Sequence, residues 1–593
     1  MRTDRLRRLV VVLAASAALL GGVASAAAPS GPATSQGTGG AVATIETLAT
    51  QAAIGVLDDG GNAIDAAVTA AAVLGVTEPF SCGIGGGGFM VVRTDDGAVT
   101  TIDHRERAPA AMGPSSFFEG GVPLTMNPAR YSGLSVGVPG TVLGWAEALE
   151  RYGTISLAEA LAPAVEIARD GFEVDQVFAG QIQENLDFFD DVPATAALFL
   201  DPDGTPRDVG TTFQNPDLAA TYERVAHLGT KGFYRGAVAD ALVETVQHPP
   251  VAPSANHTWR PGVMTTRDLR AYTAPERNPT HVTYRGLDVY GMGPPSSGGS
   301  TLGEALNILE GYDLAAMERE EALHYFLEAS RYAFADRGVY VADPDYEYVP
   351  LTGLLSKGFA AERRDEVTST AATSPVAAGD PCPYDGSCPT VTAQSSVAST
   401  MPGSTTQITT ADDDGNVVSY TYTIESTGGS GLVVPGFGFL LNNELTDFNF
   451  SSTTHPNRVE GGKRPRSSMS PTILLDHGEP FLALGTPGGS MIITTVLQML
   501  VDRLDLGLTL PQAIADPRAS QRNTATTSAE QAFLDSDEAD ALKERGHLFA
   551  DPPPPEIGAA NGIEFLGNGG FLAAAEPVRR GGGSAMVVEP DDG

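Results

Sequence analysis

Ser404-Thr405-Thr406-Gln407-Ile408-Thr409, the turn Asp412-Asp413-Asp414-Gly415-Asn416 and the return Val417-Val418-Ser419-Tyr420-Thr421-Tyr422-Thr423-Ile424-Glu425 decide the fold of this chain. A polar run ends at Ser404-Thr405, a strand-like alternation begins, and an Asp-Gly pair turns it back as a hairpin. With the turn centred near Asp414, Thr405 and Thr423 lie opposite each other, nine positions away on either side (414 − 405 and 423 − 414). A threonine that opens a strand and faces another hydroxyl meets the needs of an N-terminal nucleophile. Cleavage between Ser404 and Thr405 would free an α-amine beside the Thr405 hydroxyl, a base carried by the nucleophile itself. Alone, a Thr-rich hairpin is more often just a pair of strands, so the rest of the chain has to carry the distinction.

A length of 593 residues allows a large core and suggests more than one folding unit. Hydrophobic content of 42% with 18% charged residues is that of a globular protein. A net charge of −37 opposes nucleic acid or an anionic membrane surface as a partner. Arg2, Arg5, Arg7 and Arg8 precede an apolar run from Leu9 to Leu20, and Ala24-Ser25-Ala26 follows as a cleavage site. Residues 1–26 therefore read as a secretory signal peptide, and the protein is expected to be secreted, extracellular or periplasmic, with no membrane span. Residues 27–44 are small and polar and read as a disordered leader. Among three cysteines, Cys382 and Cys388 enclose a short loop and are expected to pair in an exported protein. Cys82 is read as a small buried residue in a glycine-rich setting. No metal is expected, since two cysteines without a nearby histidine give too few ligands.

Along the chain, a helical pattern from Thr47 stops at Gly60-Gly61-Asn62, and Ala63 to Val76 is apolar nearly all round, hence a buried helix. Cys82 to Met90 holds a glycine run that fails as a dinucleotide fingerprint, because a helix precedes it and a strand follows; the glycines are read as sites of close backbone packing. Phe89–Thr94 and Val99–His104 form a hairpin that delivers Arg105 at a strand end. Gly133-Leu134-Ser135-Val136-Gly137 matches a serine-hydrolase elbow, but Pro139-Gly140 interrupts the helix such an elbow requires. Residues 157–334 read mostly as helices, with Pro294-Pro295 feeding one from Leu302, and 367–404 as a linker. Thr472–Leu475 and Phe481–Gly485 form another hairpin, and Thr486-Pro487-Gly488-Gly489-Ser490 opens a helix from Met491, a setting that suits an oxyanion.

Together, Gly60 to Ala67, Gly83 to Met90, Asp103 to Pro109, Pro294 to Gly299, Thr405-Thr406, Asn442 to Phe448, Lys463 to Pro471 and Gly485 to Ser490 resemble the γ-glutamyltranspeptidase family of N-terminal nucleophile hydrolases, over roughly residues 45–590. The resemblance implies an α/β (α+β) fold of four layers, an αββα sandwich, from a precursor that cuts itself between Ser404 and Thr405. Residues 45–404 would form the large subunit and 405–593 the small one. It implies Thr405 as nucleophile, Thr423 as the residue that holds it, and Gly488 and Gly489 as oxyanion donors. It also implies Arg105, Ser467 and Ser468 for the substrate carboxylate, and Glu425, Glu444 and Asp447 for its α-amine. An arginine fork suits a carboxylate and acidic side chains suit an ammonium. A γ-glutamyl donor such as glutathione would acylate Thr405, and water, an amino acid or a peptide would receive the group, with no cofactor.

Glu425 and Glu444 stand where many members carry Asn and Gln, Gln407 replaces a frequent His, and Gly428 replaces a frequent aromatic residue. Asp447 and Lys463 are 16 apart (463 − 447), too close for the long lid of many members; the shorter loop resembles that of lid-less relatives, a resemblance that implies bulkier or polymeric donors and not glutathione alone. Three alternatives stand beside this reading: a cephalosporin-type acylase of the same fold, a serine esterase built on Ser135, and an uncleaved, non-catalytic binding relative.

Overall fold

The computed structural model describes residues 33–386, 388 and 404–591. The signal-peptide reading of 1–26 and most of 387–403 fall outside the described residues. Thirteen strands form one hydrogen-bonded network: β1 (Thr34–Thr44), β2 (Gly87–Arg93), β3 (Val99–Asp103), β4 (Glu276–Arg277), β5 (Thr280–Tyr284), β6 (Leu287–Gly291), β7 (Thr406–Ala411), β8 (Val417–Thr423), β9 (Thr472–Asp476), β10 (Glu479–Gly485), β11 (Asn561–Phe565), β12 (Phe571–Ala575) and β13 (Ser584–Pro590). The order is β4-β3-β2-β8-β7-β1-β12-β11-β10-β9-β6-β5, with β13 also on β1.

The period-2 side-chain alternation divides this network into two stacked sheets. In the first, Met90, Val92, Ile408, Val418, Tyr420 and Tyr422 face helices, whereas Phe89, Val91, Ala411 and Val417 face the second sheet. In the second, Leu474, Leu482 and Leu484 face the opposite helices, and Ile473, Leu475 and Ala483 turn inward. Helices α1 (Thr47–Asp58) and α2 (Ala63–Thr77) cover the first sheet, and α3 (Gly298–Leu309), α4 (Arg319–Tyr340) and α5 (Ile492–Leu504) the second. The result is the four-layer αββα sandwich. Every residue of α2 is buried, which its alanine-rich, all-round apolar pattern requires, and an Asn62–Asp65 capping box starts it.

The structure departs from the sequence reading at 27–44. Residues 34–44 are not a disordered leader but the strand that joins the two sheets. β1 pairs with β7 through 41–43 and with β12 through 34–37. Its small residues let chains pass closely: a Cβ at Gly37 would lie 2.0 Å from the Glu589 carbonyl oxygen. Backbone pairing on both sides supplies the hydrogen bonds that this composition alone does not advertise. The first part of the 367–404 segment is likewise anchored, with Ala372 N–H on Glu328 and Val376 N–H on Asn523. Strands β5 and β6 interrupt the expected helices, and the helix expected from Leu302 begins at Gly298. Cys382 and Cys388 are disulfide-bonded, and Cys82 is free and buried, its thiol pushed up by burial.

Candidate active site

The hairpin register sets the first pair of site residues. Thr406 opposes Tyr422, which brings Thr405 and Thr423 face to face on the inner side of the sheet, the parity of Thr409 and Ser419. Thr405 Oγ1 lies 3.1 Å from Thr423 Oγ1 and 2.6 Å from the Ser404 carbonyl oxygen. Thr423 Oγ1 donates to the same carbonyl at 2.6 Å. Its lone pairs accept from Glu425 N–H at 2.8 Å, while Ser404 N–H donates to the Glu425 carbonyl at 2.8 Å. Glu425 takes φ = 80°, a strained conformation for a residue with a Cβ, of a kind that clusters at functional positions. The glycine run holds the strand end from behind. A Cβ at Gly86 would lie 2.0 Å from the Thr423 carbonyl, and one at Gly85 2.0 Å from the Leu440 carbonyl.

Arg105 leaves the end of β3 and is 1% exposed. It donates to Glu444, to Asp447 at 2.5 Å, to the Pro465 carbonyl at 3.2 Å and to the Arg466 carbonyl at 3.3 Å. The arginine expected to take a carboxylate and two acids expected to take an ammonium thus neutralise one another. Glu425 stands apart from this knot, bonded to Ser426 and Asn443. Burial pushes the Glu444 carboxyl well above the carboxylate range, against Arg105, with Glu106, Asp447 and Glu425 adding to the rise. Glu106 is pushed up to about 7 by burial, again against Arg105. Burial of Arg105 is outweighed by Glu444, Asp447 and Glu106, which raise its pKa and keep it cationic. Three carboxyl groups, Glu444, Asp447 and Glu106, crowd the Arg105 guanidinium, and a ligand ammonium would be drawn to them.

Ser467 and Ser468 lie on the segment that passes over Arg105. Ser467 Oγ accepts from Met469 N–H at 3.1 Å, and Ser468 Oγ accepts from Arg337 Nη2 at 2.7 Å. Arg337, from α4, also donates to Ser297 Oγ at 2.7 Å. Burial drives its pKa well down, Arg466 and Arg522 adding and Asp447 opposing. Gly488 and Gly489, at φ = 136° and 57°, turn the chain from β10 into α5. Gly488 lines a cleft of about 330 Å³ together with Ser404, Thr427 and Arg580.

Sequence reasoning missed Glu106, Arg337 and Arg580. Glu106 sits within the Asp103–Pro109 motif, where a carboxyl beside Arg105 was a usable signal; Arg337 and Arg580 carry no local pattern, since tertiary contacts alone bring them in. The elbow serine is committed elsewhere: Ser135 is buried and its hydroxyl donates to the Arg130 carbonyl at 2.6 Å. Among the described residues, no group of three or more His, Cys, Asp or Glu could hold a metal ion. No described helix is long and apolar enough to cross a membrane.

The family model described as Gamma-glutamyltranspeptidase matches residues 49–586. The chain is 38% identical over 554 residues to a glutathione hydrolase proenzyme of Bacillus subtilis (strain 168), covering 92% of this chain and 91% of that protein. It is 36% identical over 540 residues to a glutathione hydrolase proenzyme of Escherichia coli (strain K12), covering 86% and 87%. Among solved structures, a cephalosporin acylase from Bacillus halodurans is similar with a TM-score of 0.81 and 29% identity, covering 95% of this chain and 98% of that one.

Proposed function

Since the chain belongs to the γ-glutamyltranspeptidase family and is a self-processing γ-glutamyltransferase and glutathione hydrolase, we propose that Thr405 performs both its self-cleavage and its acyl transfer. The observation that carries this reading is the Thr405 hydroxyl, 3.1 Å from Thr423 Oγ1 and 2.6 Å from the Ser404 carbonyl oxygen. Thr405 Oγ adds to the Ser404 carbonyl carbon while Thr423, donating to that carbonyl oxygen, stabilises the developing negative charge. The C–N bond breaks, Thr405 nitrogen takes a proton, and an ester links Ser404 to Thr405 Oγ. Water hydrolyses the ester, leaving a carboxylate on Ser404 and a free α-amine and hydroxyl on Thr405. The products are a large subunit from about residue 27 to Ser404, exported behind the 1–26 signal, and a small subunit, 405–593.

In the processed enzyme the α-amine accepts the Oγ proton as Oγ attacks the γ-carbonyl of the donor. Backbone N–H groups of Gly488 and Gly489, beside α5, receive the oxyanion. The leaving amine departs with a proton, and the γ-glutamyl ester passes to water, an amino acid or a peptide. Arg105, Ser467 and Ser468 take the donor's α-carboxylate, and Glu425, Glu444 and Asp447 its α-ammonium. The zwitterion would insert between partners that neutralise one another without it. Asp447 and Lys463 are 16 apart (463 − 447), too close for the long lid of many family members, and this shorter loop supports donors bulkier than glutathione as well. The likeness to a cephalosporin acylase keeps a second reading in play, but the acid cluster favours a donor bearing an ammonium.

A denaturing gel and an assay with γ-glutamyl-p-nitroanilide test the assignment. Wild type should give two bands and active enzyme, and Thr405→Ala one band with no activity. Cleavage of Thr405→Ala at the same bond would remove Thr405 from both roles.

A further inference from the structure

Three groups unused by this mechanism meet at the scissile bond. Arg580 Nη1 donates to the Thr405 carbonyl oxygen at 2.7 Å. Its Nη2 donates to Ser81 Oγ at 2.5 Å and to Glu78 Oε2 at 3.3 Å. On the other side of the bond, the Ser404 hydroxyl donates to Ser81 Oγ at 2.8 Å. The Ser81 hydroxyl in turn donates to Glu78 Oε2 at 3.2 Å. The proton chain is consistent: each hydroxyl donates once, and it ends on a carboxylate paired with a guanidinium. The residues on either side of the peptide that breaks are thus tied to one ion pair, assembled from positions 78, 81 and 580.

Arg580 is held for this contact. Its φ of 54° and ψ of 36° lie in the left-handed region, uncommon for a residue with a Cβ, and its N–H is anchored on Glu556 Oε2 at 3.0 Å. Its side chain borders the cleft that Ser404 and Gly488 also line, so it reaches the bond from the solvent side.

We propose that Arg580, seated by Glu78 and Ser81, is a positioning residue for self-cleavage, clamping the Ser404–Thr405 peptide so that Thr405 Oγ stays against the Ser404 carbonyl. The proposal rests on Thr405 being the residue that cuts the chain. Arg580 forms and breaks no covalent bond and keeps its protons throughout. It acts by geometry, and a misplacement of about 1 Å costs roughly a hundredfold in rate. Charge-assisted contacts suit this task, being shorter and stronger than neutral ones. Burial pushes the Glu78 carboxyl up to about 7, Arg580 opposing and Asp175 and Glu46 adding to the rise. Above that pH Glu78 is ionised and holds Arg580 and Ser81; below it, protonation loosens both.

The test follows conversion of full-length precursor into two bands, from pH 6 to 9, for wild type, Thr405→Ala, Arg580→Ala, Arg580→Lys and Glu78→Gln, with thermal melting as the fold control. Arg580→Ala should process about a hundredfold more slowly, and Arg580→Lys should recover part of the rate. Guanidinium at low, non-denaturing concentration should restore cleavage to folded Arg580→Ala through the open cleft, which a residue needed only for folding would not allow. Wild-type processing should slow as pH falls through 7, and Glu78→Gln should flatten that dependence. Processing of Arg580→Ala within threefold of wild type, with Thr405→Ala uncleaved, would overturn the clamp and leave the nucleophile standing. So would slow processing that guanidinium does not restore and Arg580→Lys does not improve. Cleavage of Thr405→Ala would instead overturn the nucleophile assignment.

Discussion

Replacing Arg105 by alanine removes the one guanidinium that Glu444 and Asp447 share. If the donor's α-carboxylate docks there, the variant leaves that carboxylate without its charged partner in a buried site. Such truncations cost ~2–5 kcal/mol, which converts to a loss in kcat/KM of roughly 30- to 5,000-fold. The structure makes the upper part of that range the expectation. Arg105 is 1% exposed and bridges two acids, and its loss removes the charge that opposes protonation of Glu444 and Glu106, which weakens the pull on the donor's ammonium. Breaking a buried pair from one side costs about 3–5 kcal/mol of stability, so the unfolding midpoint should fall. Arg105→Lys should recover only part of the rate, because an ammonium cannot span Glu444 and Asp447 as a fork does. The assay compares γ-glutamyl-p-nitroanilide with 4-aminobutanoyl-p-nitroanilide, which lacks the α-carboxylate, using fully processed protein. The loss should be far smaller with the second donor. Equal rates in wild type, Arg105→Lys and Arg105→Ala, from fully cleaved and folded protein, would refute the docking role and leave Arg105 a structural residue.

The carboxyl cluster sets a pH dependence. With Glu106 pushed up to about 7 by burial, against Arg105, lowering the pH through that value protonates Glu106 and removes its negative charge from the cluster, so the kcat/KM ratio of γ-glutamyl- to glutaryl-p-nitroanilide should fall. A flat ratio between pH 6 and 8 would exclude a role for the Glu106 charge in holding the ammonium. The Cys382–Cys388 bridge closes a short loop and stabilises by a few kcal/mol at most; replacing both with serine should leave processing and activity nearly intact, checked by gel and rate.

Much of this protein was legible in its sequence because local chemistry set it. The Asp-Gly turn fixes the register of β7 against β8, and with a side-chain period of 2 that register alone aligns Thr405 with Thr423. The alanine-rich run could form only a buried helix, and the glycines of 85–88 mark backbone contacts too close for a Cβ. Tertiary structure decided what no local pattern encodes. Residues 34–44 look like a leader because small polar residues carry no periodicity, yet pairing on both sides makes them the strand joining the sheets. Which acids share Arg105, and how burial shifts their protons, depends on chain segments more than three hundred residues apart (444 − 105). The same holds for Arg580, whose guanidinium reaches Thr405 across 175 residues. Hydrogen bonds and desolvation act over a few ångströms in space, and a linear sequence does not say which distant side chains the packed sheets will bring that close.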